Sequence, residues 1–294
     1  MKDEIIIAQA LNGEVRIHAG RTTNLVEEAR KVHTCMPTSI AALGRTLTAT
    51  ALIASDLKND DEVITSIING HGPCGTILAQ AKGNGEVRGF VGDPNIYLVR
   101  DDGHLDVGKA VGINGTLTVT KDLGLKDQFR GVVDLQTGEI GDDFVYYFAI
   151  SEQTPSMVSV GVLVGTEGNV EASGGFIYQL LPDAHEETIQ ALEKISQIHK
   201  PVTELIQEGL SLEEILKGYF EDVEILEHRD VRWHCGCSKE HYAISLATLK
   251  DEDLKEMIDD GSGAEIVCQY CEKKYDFTTE ELISILENKH VEHR

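Results

Sequence analysis

The chain has 294 residues, 41% hydrophobic and 26% charged, which is enough for a sizeable buried core and for more than one domain. A formal charge of -24 repels a phosphate backbone, so nucleic acid is not an expected partner. The opening MKDEIIIAQALNG holds too short an apolar run for a secretory signal, and no uninterrupted apolar stretch reaches the ~18 residues of a membrane span. A cytoplasmic protein with no membrane partner is expected.

The chain should open as a β-hairpin: Glu4 to Ala10 is largely apolar, Asn12-Gly13 is a favoured two-residue turn, and Glu14 to Ala19 alternates polar and apolar positions. Asn24 and Glu27 fit a capping box before a first helix. Pro37 suits the first turn of a longer helix that continues through AALGRTLTATALIASDLK, with Leu43, Leu47, Ala51 and Ala54 on its buried face. From Glu62 to about Gln179, short β-branched or aromatic runs (VITSII, TLTVT, FVYYFAI, MVSVGVLV) alternate with Gly, Asn and Asp turns. They predict a mostly antiparallel sheet, and with the helices an α+β class for residues 1–180.

Strand signals end at Pro182. Asp183 with Glu186 can cap a helix carrying Ile189, Leu192 and Ile195, Pro201 can start a short helix, and Ser211 with Glu214 can cap another carrying Leu212, Ile215 and Leu216. Residues 183–230 carry 13 acidic and 4 basic side chains. Such a segment needs a partner for its apolar stripes and repels itself when compact, so residues 181–230 are expected to form a metastable helical linker. Residues 231–294 hold four cysteines, a helix through Leu254 and Met257 stopped by Gly261, and a last helix that Thr278 and Glu281 can cap. Their apolar content is sparse for an independent core without metal.

Six cysteines in a reducing compartment point to metal or redox chemistry rather than to a disulfide framework. Cys235-Gly236-Cys237 and Cys268-Gln269-Tyr270-Cys271 form two close pairs separated by 30 residues. Four thiolates can surround one zinc ion tetrahedrally, and such a closed site leaves no position for a hydrolytic water. Two readings remain open on spacing alone. One is a structural zinc knuckle, although the usual knuckle has CxxC on both sides. The other is a site that an oxidant dismantles: the tight CxC ring makes a strained, oxidising disulfide, and CxxC is a spacing common in redox pairs.

The CxC and CxxC pairs resemble those of the bacterial redox-regulated heat-shock chaperonin family of about 33 kDa. The resemblance extends to ALGRTLTATAL at 42–52, FAISEQTPSMVSVGVLV at 148–164 and ASGGFIYQLLP at 172–182. It implies an ATP-independent holdase of the oxidative-stress response, nearly inactive when reduced with one zinc on Cys235, Cys237, Cys268 and Cys271. It further implies that oxidation pairs Cys235 with Cys237 and Cys268 with Cys271, releases zinc and unfolds the linker, and that the activated protein dimerises and holds unfolding client proteins against aggregation. The N-terminal part would bind clients, and the segment from about 231 would be the redox switch.

Other signals carry less. Gly103 to Lys109 resembles the front of a phosphate-binding loop, but Ala110 replaces the required Ser or Thr and the following segment reads as turn and strand. His228, His234 and His241 lie near the cysteines, and His290 with His293 form a C-terminal cluster; four cysteines already complete a site, so these histidines are expected to sit on the surface or to support the ligands rather than bind the ion. Cys35 and Cys74 read as buried apolar residues, and the glycines at 72, 75, 83, 85, 89 and 92 as turn and bulge positions. No GxSxG elbow or HExxH helix occurs, so no enzyme is expected. The rivals to a holdase are a zinc-stabilised module with a constitutive partner and a thiol oxidoreductase using Cys268 and Cys271, the latter requiring an accessible thiolate.

Overall fold

A computed structural model describes residues 1–291, with the side chains of 290 and 291 left out, so the His290 and His293 cluster lies outside the described residues. The chain divides into two compact units, Met1–His234 and Cys235 onward.

The first unit begins with the expected hairpin, β1 (Glu4–Ala10) and β2 (Val15–Arg21). Asn12 and Gly13 both take positive φ in its turn. Two helices follow, α1 (Thr23–His33) and α2 (Pro37–Ala54), then β3 (Val63–Asn69), β4 (Ile77–Lys82), β5 (Glu86–Val91), α3 (Val107–Val111), β6 (Thr116–Asp122) and β7 (Phe129–Asp134). Next come α4 (Gly141–Tyr147), running on as a π-helical turn over Phe148–Glu152, then β8 (Ser156–Val164) and β9 (Val170–Leu180). The acidic segment supplies α5 (Glu186–Ile198), α6 (Val202–Gln207) and α7 (Leu212–Tyr219), and β10 (Glu224–Asp230) and β11 (Arg232–Trp233) close the unit.

The strands form two sheets, of order β10-β1-β2-β9-β8 and β11-β5-β4-β3-β6-β7. Every pairing is antiparallel except β11 with β5. Helix α2 packs against strands of both sheets, so nearly all of it is buried, the expected face of Leu43, Leu47, Ala51 and Ala54 together with Ile40, Leu52 and Ile53 on other sides. Small residues make this possible. Gly44 lets Val26 and Val162 approach where a Cβ would clash, and the buried hydroxyls of Thr46 and Thr50 donate to the carbonyls of Ala42 and Thr46. The helix stops four residues before the expected Lys58, and the Ser55 hydroxyl beyond its end donates to the Leu52 carbonyl.

The helices α5 to α7 lie over the other face of the first sheet. Leu192, Ile195, Leu205, Ile206, Leu216 and Phe220 share a buried cluster with Ile6, Ile17, Phe176 and Tyr178. Strand β10 then pairs with β1, so the acidic segment is docked along its length.

Several local expectations are corrected. Residues FVYYFAI are helical rather than a strand. The Asp143 carboxylate accepts from the amides of Gln136, Thr137 and Ile140 at 2.7, 3.1 and 3.0 Å, which fixes a helix start, and Phe144, Tyr147 and Phe148 then fall on one buried side. Residues Val107–Val111 form a short helix that was not expected, because Asp106 accepts from the Lys109 amide at 3.1 Å, while the segment after it is turn and then strand β6, as expected. Asn24 and Glu27 make no capping box: Asp3 accepts from the Leu25 amide at 2.7 Å, while Glu27 pairs with Arg30 and accepts from the Val170 amide. Asp183 does not cap α5 either. Glu14 takes that place, accepting from the His185 amide at 2.9 Å and the Thr188 hydroxyl at 2.6 Å. The boxes at Ser211/Glu214 and Thr278/Glu281 form as expected.

The second unit contains α8 (Lys239–Ala247), α9 (Asp251–Asp260), the antiparallel pair β12 (Ala264–Val267) and β13 (Lys274–Phe277), and α10 (Thr279–Val291). Gly261, at φ +71°, ends α9 as expected. The fully buried apolar side chains of this unit among the described residues are Leu246, Leu254, Phe277 and Leu282.

Candidate metal centre

The β12–β13 hairpin places the second cysteine pair. Val267 pairs with Lys274, and the loop between them folds back through the Cys268 amide to the Lys273 carbonyl (2.9 Å) and the Glu272 amide to the Cys268 carbonyl (2.8 Å). Glu272 takes φ +59° in this turn, which brings Cys268 and Cys271 to one side. The first pair immediately precedes α8, where Ser238 accepts from the His241 amide at 3.2 Å and sets the direction in which the chain leaves Cys237. The Tyr275 hydroxyl donates to the Cys237 carbonyl at 3.1 Å and lies 3.1 Å from the Cys237 sulfur.

The four sulfurs of Cys235, Cys237, Cys268 and Cys271 all lie within 4.8 Å of one another. Cys235 is 3.7 Å from Cys268 and Cys237 is 3.3 Å from Cys271. A tetrahedral ion with metal–sulfur bonds of ~2.3 Å requires sulfurs roughly 3.8 Å apart, so this set can hold a metal ion with little movement. Cys268 is buried and the other three are half-buried. Burial opposes ionisation of Cys268, but hydrogen bonding by the Tyr242 side chain, the Tyr270 and Cys271 amides and the Cys237 thiol outweighs it and lowers the thiol to about 7. Burial raises Cys271 and Cys235 instead. A metal would have to displace the remaining protons, so its binding is linked to pH.

Tyr242 and Tyr275 are the site residues that cysteine spacing does not reveal. Their rings lie 5.2 Å apart and their hydroxyls face the sulfurs, and only an aromatic four positions after Cys271 hints at this in the sequence. The nearby histidines play other parts. His228 pairs with Glu4 and Glu213, and His234 lies 3.7 Å from Glu86. None joins the sulfur cluster. Cys35 and Cys74 are buried in the first unit, where desolvation pushes their thiols up to about 12 and about 11, as suits apolar packing rather than reactivity.

Fold and site together define an α+β protein with a separate small unit organised around four thiols. The family model described as Hsp33 protein matches residues 3–278. The chain is 47% identical over 283 residues to the 33 kDa chaperonin of Bacillus velezensis, covering 95% of this chain and 97% of the relative. It is 45% identical over 289 residues to that of Staphylococcus carnosus, covering 97% and 98%. The crystal structure of the 33 kDa chaperonin (heat shock protein 33 homolog) of Thermotoga maritima superposes with a TM-score of 0.88 at 34% identity, covering 99% of this chain and 100% of that one. The chain belongs to the Hsp33 family, and it is a heat-shock chaperone rather than an enzyme. Among the described residues no helix is long and apolar enough to cross a membrane.

Proposed function

We propose that this protein is a redox-regulated, ATP-independent holdase of the cytoplasm that binds unfolding proteins under oxidative stress. The observation that carries the reading is the cluster of Cys235, Cys237, Cys268 and Cys271 within 4.8 Å in a unit whose own apolar core is small. In the reduced state the four thiolates hold one zinc ion, because zinc prefers a closed sulfur site and offers no redox chemistry of its own. An oxidant then accepts two electrons from each of two thiol pairs, Cys235 with Cys237 and Cys268 with Cys271. Two disulfides form, any thiol protons leave, and the ion departs because its ligands are gone.

Loss of the ion removes the main support of the C-terminal unit. The acidic helical segment, covering apolar sheet residues such as Ile6, Ile17 and Phe176, is then the element whose release exposes client-binding surface. Unfolding clients expose apolar groups whatever their sequence, so hydrophobic contact suits a broad client range, while the charge of -24 keeps complexes soluble. Activation brings two copies together as a homodimer.

The test follows zinc, free thiols and suppression of client aggregation together, before and after peroxide with mild heating, and again after reduction with zinc restored. Release of one zinc with loss of four thiols and a reversible gain in holdase activity is the expected result. Zinc retained with unchanged activity would make the site a structural module.

A further inference from the structure

Strand β10 occupies the outer edge of β1, pairing from Glu4↔Asp230 at one end to Gln9↔Glu224 at the other. The two strands are unlike. In β1, Ile5, Ile6, Ile7 and Ala8 are buried in succession, as in a strand covered on both faces. In β10, EILEHRD, only Ile225 and Arg229 are half-buried and the other side chains are exposed. The register also slips between Ile7 and Ala8, which pair with Glu227 and Ile225 and leave Leu226 as an exposed bulge. The side chains that do meet across the pair are exposed polar ones, His228 with Glu4 at 3.1 Å and Gln9 with Glu224 at 2.6 Å, and contribute little. The edge of β1 is held chiefly by main-chain pairing, a contact that any extended chain can make.

Residues opposite one another on paired strands share a face. Ile6 belongs to the buried cluster of Ile17, Phe176 and Tyr178, and opposite it β10 sets the ring of His228. A segment with apolar residues at alternate positions would instead widen that cluster by one strand. Strand β10 also joins the two regions on which the redox reading depends. It follows α7, continues into β11 on the edge of β5, and reaches Cys235 through His234 alone.

We propose that the outer edge of β1 is a strand-addition site for clients: once β10 has left, an extended, apolar-alternating segment of an unfolding protein pairs with Glu4–Ala10 in its place. The departure of β10 rests on the redox-holdase reading; what the free edge accepts does not. A second copy is the poorer occupant, because each chain carries a charge of -24 and an edge of 7 residues buries far less than the ~1,200 Å² of a stable interface.

The experiment titrates full-length protein, after peroxide with mild heating, with the peptide KVTVTVTK and with its fully N-methylated counterpart, which keeps the side chains and lacks the backbone N–H groups. Anisotropy of the labelled peptides gives affinity, and amide exchange over residues 4–10 locates the contact. Activation should open the β1 amides to exchange, and KVTVTVTK should protect them again. The N-methylated peptide should bind roughly tenfold more weakly and protect none. The double variant Glu227→Pro, His228→Pro frees the edge without oxidation, since adjacent amides point to opposite edges and one of the two prolines removes a bond to β1. Reduced and metal-loaded, it should bind KVTVTVTK with the same protection. Binding there but none after peroxide would keep the edge site and remove the redox release of β10. If the variant does not fold, the two peptides on the oxidised native protein decide alone. Equal binding of the two peptides, peptide bound while the β1 amides still exchange, or no binding to either form of the protein would each overturn the proposal. So would protection of β1 that rises with protein concentration before any peptide is added, which would give the edge to a second copy.

Discussion

The docked helical segment and the C-terminal unit are both acidic, helix-rich and short of a core of their own, yet they are held in different ways. Helices α5 to α7, with Phe220 just beyond them, bury Leu192, Ile195, Val202, Leu205, Ile206, Leu212, Ile215 and Leu216 in one cluster with side chains of the first sheet. At ~1.5–3 kcal/mol for each fully buried side chain, that is substantial apolar cover. The C-terminal unit buries four comparable side chains fully and folds around four sulfurs instead. The contrast teaches that removing a metal should act directly on one region only. Release of the other needs a further push against hydrophobic contact, which is why heat belongs beside the oxidant in the functional test.

The largest expected effect is therefore loss of the metal. If the four sulfurs hold zinc as proposed, chelation under reducing conditions, or Cys268→Ser, should remove a contribution of about 10–16 kcal/mol, the range for a structural zinc site. Amide NMR should show residues 238–291 losing dispersion while β1–β9 keep theirs. A C-terminal unit that stays fully ordered after verified metal removal would show that Leu246, Leu254, Phe277 and Leu282 suffice, and the comparison would fail.

Next in size is Leu216→Ala. Leu216 is fully buried in α7, and truncation there should cost about 2–5 kcal/mol. The cost should appear as faster hydrogen exchange over residues 186–220 and as some holdase activity in the reduced, metal-bound protein. Faster exchange without activity would keep the packing argument and remove the segment's covering role.

Acid should separate the regions more gently. The His199 ring stacks on Tyr219 at 4.3 Å and its Nε2 lies 2.9 Å from the Tyr178 hydroxyl; burial lowers its pKa from 6.5. A depressed histidine contributes stability that is present above 6.5 and lost as pH falls toward its folded value. Glu14 is lowered from 4.5 to about 2, first by the Thr188 hydroxyl, then by the His185 amide and ring, so its contribution is present above 4.5 and lost between there and about 2. His185, raised by Glu14, acts oppositely, contributing below 6.5 and losing this as pH rises, but its exposure makes that effect slight. Exchange over α5 to α7, corrected for intrinsic rates, should quicken between pH 7 and 5.5. The change should disappear in His199→Gln, and if it persists there, His199 is not its source.

How much of this was legible in the sequence depended on how local the determining contact is. The cysteine cluster was, because ligand chemistry and spacing are both carried by a few neighbouring residues; Tyr242 and Tyr275 were not, since only the folded hairpin turns their hydroxyls toward sulfur. The caps divide in the same way. Ser211 with Glu214 and Thr278 with Glu281 are reciprocal within one turn and were readable. Helices α1 and α5 instead borrow Asp3 and Glu14, the latter 174 positions from Thr188, which no local pattern announces. The aromatic run at 144–150 reads as a strand on propensity, until Asp143 gathers backbone amides and commits it to a helix.

The smallest effect tests whether α7 is held by its end or by its face. Ser211 accepts from the Glu214 amide at 3.2 Å, and Glu214 accepts from the Ser211 amide at 2.8 Å. Ser211→Ala breaks one arm of this box and should cost about 1 kcal/mol, well below the cost of Leu216→Ala, with the fastest new exchange at the first-turn amides Glu213 and Glu214. In a helix of eight residues the unsatisfied ends make up much of the backbone, so the ranking is not trivial. If Ser211→Ala released residues 186–220 as fully as Leu216→Ala does, the segment would depend on its own local structure rather than on the sheet beneath it. It would then resemble the C-terminal unit, held by a few polar or ligand contacts, and the distinction between a metal-dependent region and a hydrophobically docked one would give way.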